Sequence, residues 1–95
     1  MADYYDRDGI EMTVDQWITD FKNMDKRRVA VDEVPPNVKI STVWLGLNHQ
    51  YGEGPPMIFE TMVFGGPMDG EMWRYSTEEE ALSGHKRMYE LVTKG

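Results

Sequence analysis

The chain has 95 residues, no cysteine, and a net charge of −7 from 17 acidic and 10 basic side chains. This length predicts a single domain (residues 1–95), and the 40% hydrophobic content is too high for a disordered tail. The lack of cysteine excludes disulfides and thiolate metal sites. The negative charge is spread evenly over both halves and disfavours nucleic-acid binding, so it indicates either simple solubility or a basic partner. Because no apolar run approaches the roughly 18–20 residues of a membrane span and no signal-peptide pattern occurs, we expect a soluble intracellular protein.

The first predicted element is a short N-terminal hairpin over residues 4–12, YYDRDGIEM. Its two flanks surround an Asp-Gly pair, which is a common tight-turn signal. The D-x-D-G pattern also resembles a calcium loop. In the EF-hand register, however, the first ligand position would fall on Tyr4, so the hairpin is the favoured interpretation.

A first helix is predicted over about residues 14–24. Thr13 and Gln16 form a capping box, in which each side chain accepts a hydrogen bond from a backbone N–H that the helix leaves free. Trp17 and Phe21 lie on the apolar face that the helical spacing defines, so the helix should pack through them.

A basic triplet, KRR at residues 26–28, leads into a short β-type run that ends at a Pro35-Pro36 turn. Such a triplet is usually a solvated strand end. The alternative is an anchor for a phosphate group or for an acidic partner.

The most hydrophobic stretch, residues 40–66, predicts the central hairpin of the fold. Its strands span about 39–49 and 57–65 and are joined by the loop 50–56. If that loop closes the hairpin tightly, Leu47 pairs with Phe59 on a core face, and Trp44 pairs with Met62 on the opposite face.

The second face of this hairpin is therefore predicted to be apolar too, whereas a sheet with one wet face should alternate apolar and polar residues. Trp44 and Met62 on that face are compatible with two arrangements. Either one helix covers each face, or both helices lie on one side and leave a patch for a partner protein or for a second copy of the chain.

Glu60 and His49 are candidate chemical groups of this hairpin. Glu60 lies in the middle of an apolar strand, where a carboxylate requires a hydrogen-bonding partner, so it is a candidate site residue. The structural alternative is a pair with a local base such as Arg74. His49 could act as a general base or could simply end the strand with a hydrogen bond.

A third strand is predicted over residues 72–76, with Trp73 and Tyr75 on one face, followed by a second helix at about 78–92. Thr77 and Glu80 form another capping box, which explains the acidic first turn without a catalytic role. The glycine at position 84 interrupts the inward face, which predicts close packing on a strand there.

His85 lies on the inward face of this second helix. A histidine in such a position is more often a satisfied core residue than a ligand. If Glu60, Tyr75 and His85 converged, they would form a polar pocket. The fold class predicted from these elements is α+β, with a three- to four-stranded antiparallel sheet, two helices and the short N-terminal hairpin.

The sequence contains no motif for nucleotide binding, for zinc or for nucleophilic catalysis. Its two histidines are 36 positions apart, and its serines have no neighbouring base. We therefore expect no cofactor, no metal ion and no enzymatic activity.

Several blocks of the chain together resemble one protein family. They are YYDRDG, QW, RRVA, STVWLGLNH, GPPMIFETMVFGG and RYSTEEEALSGH. This succession, over about residues 4–90, is similar to a group of small proteins encoded by tailed bacteriophages, a group with no established activity. The resemblance implies an accessory phage product made in the cytoplasm of the host bacterium, and it assigns no functional residue.

Three functions are compatible with these features. The first is a non-catalytic phage accessory protein that binds a host or phage protein and so counters host defence or modulates host metabolism. The second is an oligomeric small-ligand protein, with aromatic residues stacking a nucleotide base and Arg27, Arg28 or Arg74 holding phosphate. The third is a compact enzyme using Glu60 with a histidine. The candidate binding residues are Trp44, Glu60, Met62, Trp73, Arg74, Tyr75 and His85.

Overall fold

The computed structural model describes residues 3–48 and 54–94. It contains one four-stranded antiparallel sheet in the order β1-β2-β3-β4, so the predicted α+β class is confirmed. Within these residues, no helix combines the length and the apolar character needed to span a bilayer. The elements are α1 (Val14–Phe21), α2 (Met24–Arg27), β1 (Arg28–Val34), β2 (Val38–Trp44), β3 (Phe59–Phe64), β4 (Met72–Tyr75) and α3 (Glu78–Lys94).

The N-terminal hairpin is present as a compact reversal with a single β-bridge, between Tyr5 and Glu11. The backbone N–H of Asp6 donates to the Ile10 carbonyl at 2.8 Å, which closes the reversal. The segment therefore turns the chain as predicted, without forming two full strands.

The predicted capping box begins α1. The Gln16 N–H donates to Thr13 Oγ1 and the Thr13 N–H donates to Gln16 Oε1, each at 3.2 Å. The helix ends at Phe21, three residues before the predicted end, because Asn23 caps the separate turn α2. The Asn23 side chain accepts a hydrogen bond from the Asp25 N–H at 3.0 Å.

β2 and β3 form the predicted central hairpin, but the predicted register was wrong. Trp44 pairs with Phe59, and Thr42 pairs with Thr61. This pairing differs by three residues from the predicted one, and an odd displacement exchanges the two faces of a strand. Trp44 therefore lies in the core, 1% exposed, and the prediction that it faces outward was wrong. Most of the predicted loop 50–56 lies outside the described residues.

After β2 the regular pairing with β3 ends, and the chain also pairs with the N-terminal segment. The Leu45 N–H still donates to the Ile58 carbonyl at 2.8 Å. Tyr4 and Leu47 form a β-bridge, and the Tyr5 N–H donates to the Gly46 carbonyl at 2.8 Å. Gly46 permits this departure, since its φ of 73° favours glycine and a side chain there would overlap the Trp44 ring.

Both α1 and α3 lie on one side of the sheet, which is the second of the two predicted arrangements. Ala81 of α3 and Trp17 and Phe21 of α1 belong to the same hydrophobic cluster around Trp44 and Phe59. We call this side the covered face and the opposite side the open face. A second cluster, toward the end of α3, is formed by Ile40, Val63 and Met88.

Candidate functional site

A diagonal series of polar side chains crosses the covered face, with one residue from every strand and one from α3. Asp32 belongs to β1, Thr42 to β2, Thr61 to β3, Tyr75 to β4 and His85 to α3. Thr42 and Thr61 are direct partners in the sheet, while Asp32 and Tyr75 lie one row away on either side. This series, which we call the polar chain, lies between the two hydrophobic clusters.

Consecutive members of the polar chain are within hydrogen-bond distance. The Tyr75 hydroxyl donates to Thr61 Oγ1 at 3.0 Å, and the Thr61 and Thr42 hydroxyl oxygens are 2.5 Å apart. Thr42 Oγ1 lies 2.6 Å from His85 Nδ1, and His85 Nε2 lies 2.8 Å from Asp32 Oδ2. The Asp32 carboxylate only accepts, so His85 donates from Nε2, and with a neutral imidazole Nδ1 accepts from Thr42. Thr42 then accepts from Thr61, and Thr61 accepts from Tyr75. The neutral Nε2–H tautomer satisfies every link.

The interior of the polar chain is closed and its ends reach the surface. Thr42 and Thr61 are fully buried and His85 nearly so, whereas the Asp32 side chain is half exposed. A buried hydroxyl or imidazole destabilises the fold unless it is hydrogen-bonded, so every hydrogen bond of the polar chain must be formed. At the other end, burial raises the pKa of Tyr75 above the ordinary value of 10.0, and its hydrogen bond with Thr61 opposes part of that rise.

An Asp–His–hydroxyl series resembles the arrangement that activates a nucleophile in hydrolases. Here the hydroxyl belongs to Thr42, which is 0% exposed beneath α3. A substrate atom cannot reach it, and of the Asp, His and Thr members of this series only Asp32 meets solvent. The geometry can therefore orient groups and stabilise the contact between α3 and the sheet, but it does not offer a nucleophile.

Gly84 lets α3 approach β4 closely. A side chain at this position would overlap the ring of Tyr75. The sequence predicted close packing on a strand here, and the structure confirms it and identifies Tyr75 as the contact.

The open face of the sheet is the second candidate site. Its central row crosses all four strands and consists of Val31, Ser41, Met62 and Met72. Phe64 lies one row away on the same face. Val31, Met72 and Phe64 are 38%, 40% and 47% exposed, so this face leaves large apolar side chains in contact with solvent. Met62 is thus on the open face, as predicted.

Glu60 and Arg74 also lie on the open face, on adjacent strands. Arg74 Nε donates to Glu60 Oε2 at 3.1 Å, which is the local pair that the sequence offered as the structural alternative. Glu60 and His85 lie on opposite faces, so the pocket of Glu60, Tyr75 and His85 does not form. Tyr75 and His85 do meet, through the two buried threonines. His49, the other predicted partner of Glu60, lies outside the described residues.

The aromatic and basic residues proposed for a nucleotide are not brought together. Trp44 is buried and its indole N–H donates to the Tyr5 carbonyl at 3.0 Å, so no base can stack on it. Trp73 packs against the hydrophobic cluster beneath α3. The guanidinium of Arg27 lies 4.4 Å from the Phe21 ring centroid, where it stabilises the junction of α1 and α2.

Three members of the polar chain were missed by sequence reasoning. Thr42 and Thr61 carry a detectable signal, because Thr42 alternates with Ile40 and Trp44 at the spacing of buried strand residues. Asp32 has no such signal in the sequence, since its partner His85 is 53 residues away. Within the described ranges, no cluster of three or more His, Asp or Glu side chains could hold a metal ion.

Comparison with known proteins adds no assignment. Neither a family model, nor a curated protein, nor a solved structure matches this chain. The resemblance to tailed-phage proteins therefore stays a prediction that these comparisons do not test.

Proposed function

We propose that this protein is a non-catalytic phage accessory protein that binds another protein, of the host or of the phage, through the open face of its sheet. Such binding in the host cytoplasm would counter host defence or modulate host metabolism. The observation that carries the proposal is the exposed apolar row on a sheet that has helices on one side.

The composition of the open face supports protein binding. Its centre is apolar, with Met62 and Met72, and both ends are charged, with Glu33 at one end and Arg28 and Arg74 at the other. An apolar centre with a charged rim is the usual composition of a protein interface. Methionine suits this role because its flexible side chain adapts to different surfaces.

The geometry of the covered face supports a non-catalytic role. The hydroxyl and imidazole of the polar chain are used to join α3 to the sheet, and Thr42 is closed to substrate. Glu60 forms an ion pair with Arg74. Glu60, Tyr75 and His85, the candidates for a polar pocket, thus each have a structural partner.

The charge of the chain favours a different protein over a second copy. Each copy carries a net charge of −7, so two copies repel one another, most strongly at low salt. We therefore propose a neutral or basic partner surface, and we treat a homodimer as the competing outcome.

The test compares affinity purifications from infected host cells. A Phe64→Lys, Met72→Lys variant adds two charges to the open face, and both side chains are exposed enough for the fold to tolerate them. An Ile10→Lys, Leu91→Lys variant adds the same charge to exposed apolar residues elsewhere. We expect the wild type and the control to recover the same protein and the open-face variant to lose it.

Circular dichroism melts of all three proteins check that each is folded. Recovery of the same partner by the open-face variant would overturn the proposal. So would a wild-type protein that recovers only itself and has twice its expected mass by light scattering, since the open face would then join two copies.

A further inference from the structure

β1 presents a free edge to solvent. Within the described residues it pairs with β2 and with no strand on its other side. It has seven residues, as many as the central strand β2, whereas the opposite edge strand β4 has four. In an antiparallel pair, every second residue directs its N–H and C=O away from its partner. An edge strand of this length therefore offers a row of backbone groups for pairing with another chain.

Only the start of this edge is covered. Arg7 Nη1 donates to the carbonyl of Arg28, the first residue of β1, at 3.3 Å. Among the described residues, no hydrogen bond reaches the outer backbone groups from Val31 to Glu33. Of the devices that protect such edges, β1 has a bulge at its start, between Arg28 and Ala30, and two charged residues, but its interior has no proline or lysine.

α3 crosses the covered face, and the part of it that packs against β1 forms a groove with this edge. The groove is an open depression of about 180 Å³. Its walls are formed by Ala30, Asp32, Leu82, His85, Lys86 and Tyr89. Leu82 and Tyr89 are 48% and 40% exposed and stand two helical turns apart along the groove, with Lys86 between them. The helix side therefore offers two accessible apolar side chains and one cation. Asp32, held in place by His85, fixes a carboxylate on the strand side.

A helix beside a free edge strand is the geometry in which proteins bind an extended peptide as an added strand. The peptide backbone pairs with the edge, and alternate side chains point into the groove. The depression is smaller than the roughly 300–1,000 Å³ of most small-molecule sites, so it suits one large apolar side chain of a peptide.

The charges of β1 decide between possible occupants. Asp32 and Glu33 are adjacent in the strand, and a second copy that paired along β1 would bring four carboxylates together. Like charges that face each other across a sheet destabilise the pairing. A basic segment would instead place its cations beside these carboxylates.

We propose that the groove between β1 and α3 binds an extended, net basic peptide segment as a fifth strand of the sheet, with one large apolar side chain of the peptide between Leu82 and Tyr89. The proposal does not require the open face to bind anything. Both surfaces include β1, but Phe64 and Met72 lie outside the groove and Leu82 and Tyr89 lie outside the open face, so variants can separate them.

The experiment selects ligands from a displayed library of random twelve-residue peptides on the immobilised full chain. The most enriched peptide is then synthesised and titrated by calorimetry. We expect a net basic peptide with a large apolar residue. Its amide chemical-shift changes should fall on residues 29–34 of β1 and along the groove side of α3.

The groove variant is Leu82→Gln with Tyr89→Gln, and the matched control is Ile18→Gln with Leu91→Gln, which alters two exposed apolar side chains outside the groove. We expect the groove variant to bind the peptide about tenfold more weakly or worse, and the control to bind within about twofold of wild type, because only the first removes the apolar contact. The Phe64→Lys, Met72→Lys variant should bind normally.

Three results would overturn the inference. One is a selection that yields no binding peptide, and another is a peptide that binds the groove variant as tightly as the wild type. The third is a doubled mass in the absence of peptide together with protected β1 amides, which would mean that a second copy occupies this edge.

Discussion

The same strands build both faces of this sheet, but the polarity of the two faces is the reverse of what their burial predicts. The covered face has polar side chains at its centre, Thr42 and Thr61 beneath His85 of α3, while the open face has Met62 and Met72 in its middle row. The fold tolerates these buried polar side chains because each has a hydrogen-bond partner. The apolar row outside is partly exposed and so gains less from folding, and it is the feature on which the proposal of a protein partner rests. A buried position on this sheet therefore does not require an apolar side chain. A polar side chain can be buried there if it has a hydrogen-bond partner.

The largest expected effect is a difference in the free energy of unfolding between substitutions on the two faces of the central hairpin. Trp44→Ala should lower the free energy of unfolding by about 3–5 kcal/mol, since it removes a large buried side chain and leaves a cavity. Phe64→Ala, on the open face of the same hairpin, should lower it by less than about 1 kcal/mol because that ring already contacts solvent. Urea unfolding measures both values. Equal losses would contradict the observed register.

The second effect tests whether the polar chain depends on being complete. His85→Leu should lower the free energy of unfolding by about 1–3 kcal/mol, because Thr42 loses its acceptor while remaining buried. Adding Thr42→Val and Thr61→Val to His85→Leu should recover part of that loss, since the unpaired hydroxyls are then gone. The comparison is made by urea unfolding of the single and triple variants. A triple variant that is less stable than the single one would show that the hydroxyls have other partners.

A third, smaller effect concerns the tyrosine at the end of the polar chain. Because burial raises the pKa of Tyr75, the folded protein keeps this proton at pH values where the unfolded chain has lost it. Its contribution to stability is therefore complete below the ordinary value of 10.0 and is lost as the pH rises through the higher pKa of the folded state. Unfolding measured between neutral and alkaline pH should show a steeper decline for wild type than for Tyr75→Phe. Parallel curves would contradict the prediction.

The smallest effect is expected for the ion pair on the open face. Glu60→Gln should change the free energy of unfolding by about 0–1 kcal/mol, because water screens a partly exposed pair with Arg74. A double-mutant cycle with Arg74→Gln isolates the interaction, and it should weaken further in high salt. A loss as large as that of His85→Leu would mean that this pair is a buried structural element like the polar chain.

The helix starts and the turns were predictable because their hydrogen bonds are local. Thr13 bonds to Gln16 and Thr77 to Glu80, three residues apart in each case. Such signals can be recognised in a short window of sequence. The turn α2 was missed, since its Asn23 cap lies inside what the apolar spacing presented as the end of α1.

The register of the central hairpin was not predictable in the same way. Two segments compete for the chain after β2, namely β3 and the N-terminal reversal, and both are apolar enough to pair with it. In the structure Leu45 bonds to Ile58, next to β3, whereas Leu47 bridges to Tyr4 of the N-terminal segment. This choice moved Trp44 into the core and with it decided which face stays open.

By itself the sequence determined the α+β class, the two main helices and their caps. It also determined that the central hairpin has apolar side chains on both faces. Only the tertiary structure decided which face α3 covers and which residues meet beneath it. The links of the polar chain join residues 19, 43 and 53 positions apart, between Thr42 and Thr61, Thr42 and His85, and His85 and Asp32. The physical reason is range: a cap or a turn is stabilised by atoms a few residues away, whereas the pairing of strands and the burial of polar groups depend on which distant segments pack together.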